Sequence, residues 1–365
     1  MAMPDLIIGL MSGTSLDGVD AALVDFSTPM PSVVATAYLP YPADLRERLS
    51  RLHRPGHDDL HQAALLANGL AGIYAEGVES VLGLADIENA AVRAIGCHGQ
   101  TIRHQPQSGF SLQLNNPALL AELTNIPVIA DFRSRDIAAG GQGAPLVPAF
   151  HSACFRDVLR HRVILNIGGI ANLTVLSPQR PTSGFDCGPG NMLLDAWAQQ
   201  HLQRNYDAGG RWAEAGSVLP DLLTQLLEHD FFLVAPPKSC GREQFNLAWL
   251  TNFLTGNEAA VDVQATLVKL TAISIQQAIL RWCGVVEEIY LCGGGVHNAA
   301  LRKNIETLLP QAVVQTTDVL GLPADWVEAV AFAWLAHRTL AGLPGNQPEV
   351  TGARGPRILG AIYPA

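Results

Sequence analysis

The sequence predicts a two-lobed α/β protein. Three observations carry that expectation. The 365 residues exceed one average domain of roughly 150 residues and suggest two. Apolar stretches of strand length alternate with amphipathic helical stretches, the pattern of mixed α/β folds. A unit of strand, glycine-rich turn and strand opens at Leu6 and returns at Val163, about 155 residues later, so each half begins alike.

Apolar residues 6–10 form the first strand, 11–18 a turn of Gly, Ser, Thr and Asp, and 19–26 a second strand. Two helices follow. The first, over 44–53, is short and charged; the second, over 62–82, repeats Leu65, Leu66, Leu70, Ile73, Val78 and Val81 near helical spacing. Residues 91–96 read as a buried strand ending in Cys97-His-Gly-Gln-Thr101. Residues 110–114 read as a strand, 117–123 as a helix with Pro117 at its start, and 126–130 as a strand ending in Asp131-Phe-Arg133. The glycine-rich break over 139–145 has the composition of a hinge. Lobes over 1–135 and 136–345 are therefore expected, with 346–365 returning to the first.

In the second half a helix runs to about residue 160, and strands over 163–166 and 171–176 flank a turn at 167–170. Phe185-Asp-Cys-Gly-Pro-Gly-Asn191 leads into a helix over 192–202. Further helices are expected over 220–227, 262–282, 300–309 and 326–340, with loops at 206–211 and 236–242. A strand over 288–291 runs into Cys292-Gly-Gly-Gly-Val-His-Asn298.

Composition excludes several classes. Apolar residues make up 48%, enough for a large core, and the 34 glycines and 23 prolines suit many tight turns rather than a coiled coil. The net charge of −10 repels phosphate backbones, so nucleic acid is not an expected partner. Any bound phosphate should meet backbone N–H groups at glycine turns rather than a basic patch. No Lys or Arg precedes the first apolar stretch, and no uninterrupted apolar run reaches the ~18 residues of a membrane span. A cytoplasmic protein without membrane contact is expected. The six cysteines lie far apart with no Cys-x-x-Cys pair, which favours free thiols in a reducing compartment.

Three glycine-rich turns after apolar strands dominate the chemistry: Gly13-Thr-Ser15, Gly168-Gly169 and Gly293-Gly294-Gly295. Each lets backbone N–H groups approach an anion with no Cβ in the way. The third also opens a helix, whose N-terminal dipole would face the ligand. None has Walker spacing, and none is a Gly-x-Gly-x-x-Gly with an acidic residue about 20 residues on, so a dinucleotide site is disfavoured.

These turns resemble those of the actin/hexokinase/Hsp70 superfamily, two-lobed ribonuclease H-like ATP-binding folds with a central cleft. Five motifs narrow the likeness. They are Met11-Ser-Gly-Thr-Ser-Leu-Asp-Gly-Val-Asp20, Cys97-His-Gly-Gln-Thr101, Asn166-Ile-Gly-Gly-Ile-Ala-Asn172, Phe185-Asp-Cys-Gly-Pro-Gly-Asn191 and Cys292-Gly-Gly-Gly-Val-His-Asn298. Together they resemble the anhydro-N-acetylmuramic acid kinase family over essentially the whole chain.

The resemblance implies an ATP- and Mg²⁺-dependent phosphorylation of the 6-oxygen of 1,6-anhydro-N-acetylmuramic acid, with opening of the anhydro ring, in the recycling of cell-wall fragments. It implies that Gly13, Thr14, Ser15, Leu16, Asp17, Gly18, Val19, Asp20, Gly168 and Gly169 hold the phosphates and that Gly293, Gly294 and Gly295 cradle adenosine. It maps the catalytic base onto Asp186, which the residues alone leave open between a base and a helix N-cap. It places Gln100, Thr101, Arg133 and Glu328 near the sugar. Arg133 would pair with the lactyl carboxylate; its alternative is a structural ion pair with Asp131 or Asp136. Glu328 otherwise reads as a first-turn acid favoured by the helix dipole. The wider superfamily has an aspartate before the first turn, where this chain has Met11, so Asp17 or Asp20 is the candidate metal carboxylate. The family resemblance also implies a homodimer.

His98 and His104 read as structural, with no third metal ligand nearby. His53, His57 and His61 have helical spacing, but Pro55-Gly56 breaks the helix that would align them. Two other functions remain open on the sequence: another sugar or acetate kinase or a phosphatase of the same superfamily, and a non-enzymatic ATP-gated chaperone or regulator. Neither a basic helix-turn-helix segment nor a peptide-binding domain supports the last.

Overall fold

The computed structural model describes residues 4–54 and 56–365, so the expected break at Pro55 lies outside the described residues. Among the described residues twelve strands are formed: β1 Leu6–Ser12, β2 Gly18–Asp25, β3 Ser32–Pro40, β4 Val92–Gln105, β5 Phe110–Leu114, β6 Val128–Ala130, β7 Arg162–Ile167, β8 Ile170–Leu176, β9 Ser183–Pro189, β10 Glu288–Cys292, β11 Val313–Thr316 and β12 Ala361–Tyr363. They make two sheets. One runs β12-β6-β4-β1-β2-β3 with β5 on β4; the other runs β11-β10-β7-β8-β9.

The two sheets repeat one plan. In the first, β1 pairs antiparallel with β2 and β2 with β3, while β1 pairs parallel with β4 and β4 with β6. In the second, β7 and β8 and then β8 and β9 pair antiparallel, while β10 pairs parallel with both β7 and β11. The mixed α/β architecture thus follows the strand, turn and strand repeat of the sequence.

The chain divides into a unit of residues 1–154 with 326–365, and a unit of residues 155–325. This moves both expected boundaries. The glycine-rich break at 139–145 is not a hinge between units: Gly141 N–H and Gly143 N–H donate to Asp136, and Gln142 N–H donates to Thr351 of the C-terminal segment. The helix Val327–Leu340, expected in the second lobe, belongs to the first unit.

Two glycines explain that placement. Gly9 of β1 and Gly96 of β4 are direct partners in the parallel ladder. A Cβ on Gly9 would collide with the Ala329 carbonyl, and one on Gly96 with the Phe332 carbonyl. The pair forms a flat seat on which the alanine-rich face of the helix lies against the backbone. On the other side, the helix Asp59–Ala85 buries Leu66, Leu70, Tyr74, Val78 and Val81 in the main hydrophobic cluster.

In the second unit the helix Ala260–Ala278 and its π-turn Ile279–Cys283 form the central apolar rod. By length and composition residues 260–283 would suffice to cross a membrane, but 72% of the apolar window is buried within the protein. The strand β4 continues through Cys97-His-Gly-Gln-Thr101 instead of ending before it, because those polar residues pair with β1 and β5. His53 and His57 are exposed in turns and His61 lies in the next helix, so the three share no helix face.

Candidate active site

The first turn rests on a rigid base. Ser12, the last residue of β1, is buried, and its hydroxyl accepts from Tyr41 at 2.7 Å and bonds Tyr74 at 3.0 Å. Burial pushes the Tyr41 phenol up to about 12, so this network stays protonated and uncharged at neutral pH. Above it, Thr14 and Ser15 are exposed, and the Ser15 hydroxyl donates to the Asp17 carboxylate. A Cβ on Gly13 would touch only the Ser15 side chain, so the folded chain does not itself require glycine there.

The turn is shorter than the sequence suggested. Leu16 sits at φ +60° with its side chain buried. Gly18, Val19 and Asp20 already belong to β2. Val19 is fully buried, and Gly18 is glycine because a Cβ would meet the Leu39 carbonyl and the Tyr38 ring. Packing therefore accounts for the side chains of Leu16 and Val19 and for glycine at position 18, and leaves their backbone N–H groups as the only means of meeting a ligand. Asp20 lies directly opposite Met11 in the β1–β2 ladder, so the two side chains share a face of the sheet.

The four sugar candidates lie in the same unit as this turn. Gln100 is fully buried; its amide donates to the Gly13 carbonyl at 2.9 Å, while its Oε1 has no partner among the described residues. The Thr101 hydroxyl accepts from Gln113 at 3.2 Å. Arg133 precedes the short helix Ser134–Ala138 and makes no ion pair with Asp131 or Asp136 among the described residues. Asp131 accepts from the Ser134 hydroxyl instead, and Asp136 from Gly143 N–H, Asn346 and Thr351. The guanidinium donates to the Gly143 carbonyl and to His98 Nε2, both at 2.8 Å, and its Nε–H is buried with no partner among the described residues. Burial brings its pKa down to about 10, against the opposing charges of Glu328 and Asp136. A buried cation with an unspent donor is suited to an anionic ligand. Glu328, in the first turn of the helix Val327–Leu340, supplies the nearby negative charge.

The second turn joins β7 to β8. Gly168 and Gly169 carbonyls accept from the N–H groups of Asn191, Gly190 and Met192, which locks the turn to the chain after β9. A Cβ on Gly168 or Gly169 would find only ordinary contacts at 3.7 and 3.9 Å, so packing does not demand glycine at either position.

Asp186 is not an N-cap. It lies inside β9 opposite Asn172, next to a bulge that leaves Cys187 without a ladder partner in β8, and Asn191 occupies the cap position of the helix Met192–Leu202. The segment after the cis peptide Pro236-Pro237 clamps it. Asp186 N–H donates to the Lys238 carbonyl at 3.1 Å, and Cys240 N–H donates to Asp186 Oδ2 at 3.0 Å. Burial raises the carboxyl to about 6, with the Cys240 bond and the Lys238 charge pulling the other way. One oxygen is held by the Cys240 N–H, and the raised carboxyl is able to accept a proton.

The third turn departs from expectation. Gly294–His297 form a 3-10 turn, and the helix Ala299–Leu308 starts only after Asn298, whose side chain caps Leu301 N–H at 3.0 Å. The helix N-terminus is therefore internally satisfied. Gly293 and Gly295 are needed for close approach to Asn166 and Ile167; only Gly294 has an open face.

Sequence reasoning set His98 aside and missed Lys238 and the Cys240 N–H altogether. The nearness of 238–240 to Asp186 has no local sequence signal, since the contact spans more than fifty residues. A surface cavity of about 620 Å³ lined by Trp334, Arg338 and Arg354 holds none of these residues, and both arginines there donate to backbone carbonyls.

Among solved structures, component A of (R)-2-hydroxyglutaryl-CoA dehydratase from Acidaminococcus fermentans aligns at TM-score 0.49 and 15% identity, covering 92% of this chain and 99% of that one. A ROK family glucokinase from Streptomyces griseus in complex with glucose and AMPPNP aligns at TM-score 0.43 and 12% identity, covering 91% and 99%. The sequence relatives are nearer. An anhydro-N-acetylmuramic acid kinase of Nitrosospira multiformis is 56% identical over 98% of both chains. One of Pseudomonas paraeruginosa is 53% identical over 100% of both. The family model for anhydro-N-acetylmuramic acid kinase matches residues 5–365. With the glycine turns and the clamped aspartate in place along that whole length, the chain belongs to the anhydro-N-acetylmuramic acid kinase family.

Proposed function

We propose that the protein uses ATP to phosphorylate 1,6-anhydro-N-acetylmuramic acid at its 6-oxygen while water opens the anhydro ring, giving N-acetylmuramic acid 6-phosphate and ADP, in the recycling of cell-wall fragments. Family membership supports the substrate and the donor. The observation that carries the chemistry is Asp186, a clamped carboxylate with a pKa near 6.

The steps follow from the residues. Arg133 pairs its unspent Nε–H with the lactyl carboxylate and sets the sugar's orientation. Asp186 takes one proton from a water as the water oxygen bonds to the anomeric carbon. The bond from that carbon to the 6-oxygen breaks, and the 6-oxygen bonds to the γ-phosphorus as the bond to the β-phosphate oxygen breaks. The second water proton stays on the new anomeric hydroxyl. Backbone N–H groups at Gly13, Thr14, Ser15, Gly168 and Gly169 receive phosphate oxygens, and Gly294 gives the adenosine side its close approach.

Mg²⁺ bound to the phosphates would offset the charge that builds on them. Asp20, opposite Met11, and Asp17, tethered by Ser15, are the carboxylates to hold it. No cluster of three metal-ligating side chains occurs among the described residues, which suits an ion held mainly by phosphate and water. The proposal includes a cytoplasmic homodimer, the state that the family resemblance implies and that sedimentation would test.

The test is turnover in ¹⁸O-labelled water. The label should enter the anomeric hydroxyl and not the 6-oxygen. Label in free phosphate without ring opening would reject the reaction.

A further inference from the structure

His98 is 5% exposed and both of its ring nitrogens are engaged. Nδ1 lies 3.2 Å from the Ser12 carbonyl, which can only accept, so Nδ1 carries the proton. Nε2 lies 2.8 Å from Arg133 Nη2, which can only donate, so Nε2 is the acceptor. The two partners together select one neutral tautomer. A charged ring could not accept from a guanidinium, and burial with the Arg133 charge holds the imidazole well below its ordinary pKa. The ring also packs against Phe332 with centroids 4.6 Å apart, which fixes its plane.

The same strand makes a second grip. Two residues on, Gln100 donates to the Gly13 carbonyl. β4 therefore holds two successive carbonyls at the root of the first turn, one through His98 and one through Gln100. Only the His98 bridge continues onward, to the cation proposed to read the sugar.

We infer that His98 is a positioning residue for substrate recognition: it holds the Arg133 guanidinium in a fixed orientation referenced to the Ser12 carbonyl, so that the sugar carboxylate is registered against the phosphate turn. This rests on the proposal that Arg133 reads the lactyl carboxylate.

Two substitutions separate the two ends of the ring. His98→Asn keeps a donor near Nδ1 and loses the acceptor for Arg133. His98→Gln places an acceptor near Nε2 and loses the Ser12 bond. His98→Asn should raise KM for the muramic anhydrosugar roughly ten- to a hundredfold, the range for a hydrogen bond to a charged group, with KM for ATP little changed. His98→Gln, which keeps the acceptor but frees it from the Ser12 carbonyl, should recover only part of that loss. On 1,6-anhydro-N-acetylglucosamine, which lacks the lactyl carboxylate, both variants should match the wild type.

Equal losses in both variants, or equal losses on both sugars, would overturn the inference. Arg133→Ala serves as the control. If it leaves the preference for the carboxylated sugar unchanged, the role of Arg133 itself is wrong. If it abolishes that preference while His98→Asn does not alter it, only the role of His98 falls. A readout free of folding defects is the ¹⁵N spectrum of the wild-type imidazole, which should show Nδ1 protonated and Nε2 bare at neutral pH. The opposite tautomer would refute the bridge.

Discussion

Replacing Asp186 with Asn should make the protein inactive and more stable at once. The carboxyl is raised from 3.8 to about 6 by burial, so the folded state binds its proton more tightly than the unfolded state does. Below about pH 4 the group is protonated in both states and costs nothing. As pH rises from about 4 to about 6 the unfolded chain gives up its proton first, and wild-type stability falls. Above about 6 the loss is complete. A shift of about two units corresponds to at most about 3 kcal/mol. Asn has no such titration. It can still accept from Cys240 N–H, and any cost of its new amide N–H is independent of pH. The difference between variant and wild type should therefore grow by about 3 kcal/mol from pH 4 to pH 7, or roughly 6–12 °C in Tm for a unit of this size. Thermal melts of both proteins across that range measure it, and the other titrating groups cancel in the comparison. Turnover of the variant should fall roughly 10²–10⁴-fold. A stability difference that does not change with pH would show that Asp186 is not a strained buried carboxylate. Near wild-type turnover would show that it is not the base.

Lys238→Met removes the cation that lowers the Asp186 pKa, so the acid limb of the kcat/KM profile, expected near pH 6, should move to higher pH with the alkaline side unchanged. Gly13→Val and Gly169→Val should weaken nucleotide binding measured by calorimetry while leaving Tm nearly unchanged, because both positions have room for a Cβ in the folded chain. Arg133→Lys should raise KM for the sugar almost as much as Arg133→Ala, since an ammonium cannot serve the Gly143 carbonyl, His98 and a carboxylate together. Gly96→Ala should lower Tm with no selective effect on either substrate, since its Cβ strikes the Phe332 carbonyl.

The parts of the fold visible in the sequence were those with strong local periodicity. The helices at Pro117, Pro220 and Met192 and the strand at Phe110 begin where the pattern places them. The strand β3 was hidden because it is a half-exposed edge, bounded by prolines and lacking the buried alternation that marks an inner strand. β12 is three residues long and exists only through its pairing with β6. The hinge expected at 139–145 was a false signal: glycines that look like a boundary instead wrap the buried Asp136 carboxylate. At the candidate site, Asp186 and Arg133 were nameable as candidates because motifs carry them. Their supports were not, since Cys240, Lys238 and His98 act through contacts with residues distant in the chain.

The flat glycine seat on β1 and β4 has a consequence for biosynthesis. Its occupant, the helix Val327–Leu340, leaves the ribosome last among the large helices, after the whole of the second unit has been made. At about 5–20 residues per second, the first sheet waits roughly ten to forty seconds with its backbone seat uncovered. The second unit, contiguous from 155 to 325, can close as soon as its own strands emerge. The order of assembly thus runs against the order of the sequence, and the nascent first sheet is the stretch for which a chaperone has work to do.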